Sequence, residues 1–368
     1  MARAPADEPA PEPDRRDGAP HPREAKAIFG HEGAEADILT ALRSGKVHSG
    51  WLLTGPEGVG KATLAYRMAE TLVAQRPGAP FPAALGLPPE HPDSRLIRAG
   101  AHPRLFVLRR GLDDRGNLRS VITVEEARKL REFFGLSAAD GGRRVVIVDA
   151  ADELNPNAAN AILKLLEEPP ARTTLLLVSH QPARLLPTIR SRCRTLRLSP
   201  LSPTDLGQAM ASIGLSTDQP GALAELAGGS VGNAVRLVAN GGLDLYGDLV
   251  ALLSGLPRMD RPRAIKLAES CAGRAEGRFD LLLDLLDLFL TRAARAGLLA
   301  APPEAAPGEA ALLARLAPHD LAARAWADRQ ALASARARQG KAVNLDPAAL
   351  VLDMLLQIEQ TARTAAAA

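Results

Sequence analysis

The chain has 368 residues, 46% hydrophobic and 24% charged, the proportions of an ordinary globular protein with material for two or three cores. A net charge of +3 imposes no global basic field, and 3% aromatic residues are too few for a base-stacking surface along single-stranded nucleic acid. Two cysteines, Cys193 and Cys271, exclude a disulfide framework or a four-cysteine zinc site and suit a reducing, cytoplasmic setting.

Residues 1–25 lack an apolar run and mix Pro, Ala and charge, so they read as a disordered tail, not a signal peptide. A helix is predicted over about 32–45. WLLTG (51–55) reads as a strand, and a helix follows from Lys61 to about Gln75. The Pro-rich stretch 76–103 has no period and is expected to be an irregular insertion; without cysteine it predicts no zinc, and His91 and His102 within it are expected to be solvated. LFVLRR (105–110) predicts a strand, DDRGN (113–117) a turn, and the capping box Thr123-Val-Glu-Glu126 a helix to about Leu136. RVVIVD (144–149) is a β-branched run suited to a parallel strand covered on both faces. In NPNAANAILKLLEEPP (155–170), Asn155 caps a helix, Pro156 takes its first position and Pro169 stops it. TTLLLVSH (173–180) and TLRLSP (195–200) predict two further strands. Strands alternating with helices specify a parallel α/β sheet.

From Ser202 the strand signal ends and helical patterns take over. The expected organisation is an α/β domain over 26–201, a helical lid over 202–242 and an all-helical domain over 243–368. FDLLLDLLDLFL (279–290) carries Asp280, Asp284 and Asp287 on one helical face, which predicts a packing helix and no membrane span.

The chemistry concentrates in two stretches. Gly55-Pro-Glu-Gly58-Val-Gly60-Lys61 fits G-x-x-x-x-G-K between a strand and a helix, where backbone N–H groups and a helix N-terminus converge on nucleotide phosphates and Lys61 reaches the β- and γ-phosphates. The bland alternative is a glycine turn with no ligand. The hydroxyl that follows the lysine and completes a magnesium shell is absent: Ala62 stands there, and Thr63 comes one position late, about 100° round the helix. Asp149, at the carboxyl end of the second strand, suits a metal-holding Walker-B acid, but Ala150 occupies the place of a water-orienting glutamate. Asp152 and Glu153 are expected to cap the following turn. Two losses at one site favour nucleotide binding without hydrolysis.

Three stretches, 28–61 (IFGHEGAEADILTALRSGKVHSGWLLTGPEGVGK), 145–170 (VVIVDAADELNPNAANAILKLLEEPP) and 175–202 (LLLVSHQPARLLPTIRSRCRTLRLSPLS), resemble the clamp-loader branch of the AAA+ family. The pairing of LLEEPP with a later Ser191-Arg192-Cys193 is the most specific part. The resemblance covers about 26–240; the remainder fits the family's collar by class and length. It implies a P-loop AAA+ domain, a small helical lid and an all-α collar. It also implies a place in the ATP-driven machine of the bacterial DNA polymerase III holoenzyme that loads the sliding clamp onto primed DNA during replication, and the two losses at Ala62 and Ala150 make that place a non-hydrolysing one. Implied partners are the gamma/tau ATPase subunit, the clamp-opening delta subunit, the sliding clamp and primer-template DNA contacted independently of sequence, with no membrane. In this family the arginine of the SRC motif enters the neighbouring subunit's ATP site, which assigns Arg192 as a trans arginine finger; by itself Arg192 is one of a basic run with Arg190, Arg194 and Arg197. The lid-helix sensor arginine of active relatives is replaced by Gly232, with Arg236 one turn later, and the first sensor falls at Ser179 or His180.

The cofactor expectation is therefore ATP bound weakly or without turnover, Mg²⁺ only with the nucleotide, and no zinc. The alternatives are an active gamma/tau-like ATPase, an unrelated P-loop kinase and a structural adaptor that binds no nucleotide.

Overall fold

The structure, a computed structural model, describes residues 12–15, 18–45, 47–76, 78–135, 141–270, 277–299 and 301–365. Its contacts divide the chain into two compact units, one within 1–214 with 230–232, the other 215–229 with 233–368. The division falls after Gly214, so the segment read as a lid over 202–242 is shared between the two.

The first unit is built on five parallel strands, β1 (Gly50–Thr54), β2 (Leu105–Leu108), β3 (Arg144–Val148), β4 (Thr173–Ser179) and β5 (Arg194–Arg197), in the order β2-β3-β4-β1-β5. Around them lie α1 (Glu32–Arg43), α2 (Lys61–Val73), α3 (Pro92–Arg98), α4 (Val124–Gly135), α5 (Pro156–Glu167), α6 (Pro187–Arg192) and α7 (Pro203–Ser212). Every residue of β1 and β4 is buried, as a sheet covered on both faces requires. Leu52, Val146, Val148, Leu175 and Leu177 share a core with Leu130 of α4 and Ile162 and Leu166 of α5. The alternate residues Leu53, Val145, Ile147 and Leu176 face the other way, toward α2. The signals read at α5 act as expected: Asn155 Oδ1 accepts from Ala158 N at 2.8 Å, with Pro156 at the first position. The same device recurs at α7, where Ser202 Oγ accepts from Asp205 N at 3.1 Å.

Several local readings differ from this fold. Of the segment expected to be a disordered tail, residues 1–11 and 16–17 lie outside the described residues, but 12–15 and 18–25 pack on the first unit and include a 3-10 turn at Pro22–Glu24. The expected irregular insertion contains α3, capped by His91, whose Nδ1 accepts from Asp93 N at 3.2 Å. His102 is not solvated: it is 5% exposed, with Nε2 3.1 Å from Asp93 Oδ1. Buried Glu70 of α2 fastens this segment, accepting from Ser94 Oγ at 2.9 Å and Leu87 N at 3.1 Å. Asp152 and Glu153 lie inside a 3-10 turn over Ala151–Glu153, where Glu153 reaches back to the Ala150 N–H at the turn's start. Asp152 Oδ1 accepts from His180 N at 3.0 Å, and Glu153 pairs with Arg110 at 3.0 Å.

The described part of the second unit is helical: α8 (Pro220–Ala227), α9 (Val231–Ala239, in this unit from Asn233), α10 (Gly242–Leu253), α11 (Arg261–Glu269), α12 (Arg278–Ala296), α13 (Glu309–Leu316), α14 (Asp320–Ala342) and α15 (Pro347–Ala365). The three aspartates of α12 all find partners: Asp280 with Lys341 at 2.7 Å, Asp284 with Arg236 at 2.5 Å, and Asp287 with Gln330 Nε2 at 2.7 Å. Cys271 lies outside the described residues. Among the described residues no helix is long and apolar enough to cross a membrane.

Candidate functional site

The carboxyl ends of β1, β3 and β4 meet at one cavity of about 210 Å³, walled by Gly58, Gly60, Lys61, Ala62, Thr63 and Asp149 among others. The loop after β1 needs its glycines. Gly55, Gly58 and Gly60 have φ of 141°, 76° and 102°, a region that side chains resist. A Cβ on Gly55 would overlap the Leu198 carbonyl, and one on Gly58 would overlap Ser230 Oγ. Buried His31 donates from Nε2 to Val59 O at 2.7 Å and fixes the loop from behind. The first turn of α2 holds no acidic side chain, so its positive dipole end is left for an external anion.

Lys61 is 3% exposed and turned onto its own loop, donating from Nζ to Gly55 O at 2.8 Å and also to Pro56 O. Burial pushes its ammonium down to about 8, against the pull of Asp149 and Asp152. Asp149 moves the opposite way, up to about 7: burial dominates, Asp14, Glu153 and Asp152 add like charge, and Lys61 only partly offsets them. Two groups that would serve a nucleotide as a fixed cation and a fixed anion therefore both sit near the edge of neutrality.

A further acid at this cavity comes from outside the expected site residues. Asp14, whose side chain is 1% exposed, lines the same wall. Arg109 pairs with it, His21 Nε2 lies 3.1 Å away, and Tyr66 donates its hydroxyl at 3.5 Å. These partners, the His21 bond and the Arg109 charge foremost, outweigh burial and hold Asp14 down to about 2. Glu12 joins the group, accepting from Arg109 Nη2 at 3.0 Å and Arg23 Nη1 at 2.8 Å. The sequence signal was present in the acids and arginines of DEPAPEPDRRD, but partners 95 residues apart leave no local pattern.

The structure brings Gly58, Gly60, Lys61, Ala62, Thr63 and Asp149 to one cavity, with Gly55 at the root of the loop. The glycine loop and the acid-free first turn of α2 have the chemistry that suits a phosphate. The metal half is incomplete: Ala62 offers a methyl group, Ala150 is 4% exposed and equally apolar, and among the described residues no group of three or more His, Cys, Asp or Glu could hold a metal ion. Of the two sensor candidates, His180 lines the cavity, whereas Ser179 is fully buried within β4. Gly232 is on the cavity wall and its N–H points to Gly58 O at 3.4 Å, while Arg236 is engaged with Asp284 in the second unit.

Arg192 is placed elsewhere, at the end of α6. It is about one-third exposed, bonded from Nη2 to Glu167 at 2.9 Å and from Nη1 to Thr188 O at 3.1 Å. Arg190, Ser191 and Arg197 line an adjoining open hollow of about 750 Å³.

Residues 30–202 match a family described as DNA polymerase III, delta subunit. DNA polymerase III subunit delta' of Pseudomonas aeruginosa is 47% identical over 143 residues, covering 39% of this chain and 40% of that one. The subunit delta' of Escherichia coli (strain K12) is 32% identical over 202 residues, 54% of this chain and 57% of that one. DNA polymerase III subunit tau/gamma of Haemophilus influenzae is 26% identical over 245 residues, 64% of this chain and 34% of that one. The chain thus spans about half the length of the delta' relatives it matches. The resemblance drawn from its three motif stretches is, within the AAA+ clamp loaders, one to the delta-prime type.

Proposed function

From a chain whose residues 30–202 match the family described as DNA polymerase III, delta subunit, and which is similar to delta' subunits, we propose a non-hydrolysing clamp-loader subunit that lends Arg192 to the ATP site of a neighbouring subunit. The observation that carries this reading is the pair of methyl groups at the two chemical positions, Ala62 on the cavity wall after Lys61 and buried Ala150 after Asp149. A triphosphate on the backbone cradle would meet Lys61 and Asp149. It would find no hydroxyl for the magnesium shell and no carboxylate to orient water. ATP binding is then weak and unproductive, and magnesium comes only with the nucleotide.

Arg192 supports the other half. Its guanidinium stands at the surface on a short helix, anchored at two points, beside a hollow bordered by Arg190 and Arg197. A guanidinium reaching a transferred phosphoryl group in trans is worth roughly 10³–10⁵ in rate. The partners of this reading are the gamma/tau ATPase, the delta subunit, the sliding clamp and the phosphates of primer-template DNA, contacts that position DNA without reading its sequence. The setting is cytoplasmic.

The test is ATP turnover of the isolated chain, of the chain with its partner ATPase, and of the Arg192→Ala complex. Arg192→Ala should leave folding intact and slow the assembled complex about 10³-fold or more; unchanged turnover contradicts the trans role. Intact G-x-x-x-x-G-K and the tau/gamma similarity favour one rival, an active loader ATPase. Brisk magnesium-dependent turnover by the isolated chain, lost in Lys61→Ala, would establish that rival.

A further inference from the structure

We propose that residues 12–15 and 18–25 form a latch that keeps nucleotide out of the Lys61 cradle, and that the ion pair between Asp14 and Arg109 holds it shut. The inference rests on the reading of that cavity as a nucleotide site. Pro13, Asp14, Pro20 and Pro22 line the same cavity as the glycine loop. With these residues in place the cavity measures about 210 Å³, below the roughly 300–1,000 Å³ of pockets that enclose cofactor-sized ligands.

Charge acts in the same direction as volume. Among the described residues Lys61 is the only lysine or arginine lining the cavity, and its ammonium is already occupied by two loop carbonyls. Asp14 and Asp149 both border the space, and each carboxylate that remains ionised there opposes an incoming triphosphate.

The fastening is specific. Arg109 follows edge strand β2 and binds Asp14 with one arm of its guanidinium and Glu12, at 3.0 Å, with the other. His21 is 0% exposed, stands edge-on to the Tyr66 ring of α2 at 5.7 Å, and contacts Asp14 at 3.1 Å. The segment is thereby tied to the sheet and to the very helix that starts at Lys61. Its anchor is a pair of forked, charge-assisted bonds that one substitution removes.

The experiment is an equilibrium titration of the full chain with ATP carrying a fluorescent group on the ribose. Wild type is compared with Arg109→Ala, Asp14→Asn and a deletion of residues 2–25, each checked for folding by thermal melting. The latch requires at least about tenfold tighter binding in the folded variants, equivalent to about 1.4 kcal/mol, and loss of that gain when Lys61→Ala is added. Unchanged or weaker binding in the deletion variant and in Asp14→Asn overturns it. Turnover measured in the same samples separates the two readings. Tighter binding without hydrolysis sustains both. Tighter binding with hydrolysis keeps the latch and overturns the non-hydrolysing assignment. No change in binding removes the latch alone.

Discussion

Replacing Asp149 with asparagine should stabilise the free protein, and more so as pH rises. The carboxyl titrates near 3.8 in an ordinary setting and about 7 in the folded chain, because burial and three neighbouring acids outweigh Lys61. Between those values the folded state holds a proton that the unfolded state has released. Stability from this group is therefore complete below about pH 4, falls through the interval and is fully lost above about 7. About three pH units at about 1.36 kcal/mol each set an upper limit of about 4 kcal/mol. An amide of the same shape has no such dependence, although it also forfeits the attraction to Lys61. Only about two of those units lie above pH 5, so the advantage of Asp149→Asn over wild type should grow by about 2–3 kcal/mol between pH 5 and pH 8. Urea denaturation of both proteins at the two pH values measures it, and titrating groups not coupled to Asp149 cancel in the difference. A difference that stays flat with pH, or that turns toward wild type at pH 8, would refute the assignment of Asp149 as a carboxylate held in an unfavourable site.

Gly55→Ala combines a φ of 141° with a methyl group driven into the Leu198 carbonyl, so it should lower stability by about 3 kcal/mol or more. Gly45→Ala, with φ 73° and open space around it, should cost about 1 kcal/mol; thermal melting of the two side by side checks the contrast. In the helical unit, Glu309 is 0% exposed and receives Arg292 Nε at 2.7 Å and the Tyr246 hydroxyl at 2.5 Å. Glu309→Gln leaves the Arg292 charge buried without its main partner and should cost about 3 kcal/mol in chemical denaturation.

The sheet was legible because its strands carry the signal on themselves. VVIV and TTLLLVS are continuous apolar runs, and Asn155-Pro156 and Ser202-Pro203 state where the next helices begin. The places of Ala62 and Ala150 were legible for a similar reason, since the glycine loop and the acid-tipped strand fix where in the fold each residue falls. What composition hid was long-range pairing. Residues 12–25 look disordered by content, yet Asp14 is buried because Arg109 and His21 satisfy it. His102 looked solvated until Asp93 was brought to it by α3, a helix of seven residues whose own period is too short to read. Asp152 and Glu153 read as caps of the turn, and Glu153 does meet the Ala150 N–H, but their long-range partners, His180 and Arg110, come from other strands' ends.

The fold also gives a physical reason for LLEEPP and SRC to occur together. Glu167 is the last residue of α5 and Glu168 its cap, which sets two carboxylates against the negative end of the helix dipole. A cation is needed there, and α6 brings Arg192 to within 2.9 Å of Glu167. The approach depends on Gly50 at the start of β1. A Cβ at that position would stand 2.5 Å from Leu166 Cδ2 and 3.1 Å from Cys193 Sγ, so a side chain there would force apart the residues next to Glu167 and Arg192. The resulting pair is exposed at both ends and is worth at most about 1 kcal/mol. The Arg292–Glu309 pair, by contrast, cannot be opened without leaving a buried charge uncompensated. An arginine meant to stay would be expected in the second kind of setting. Arg192 is in the first kind, oriented by Glu167 and Thr188 yet released at little cost, which is what the proposed transfer to a phosphate on another subunit would demand.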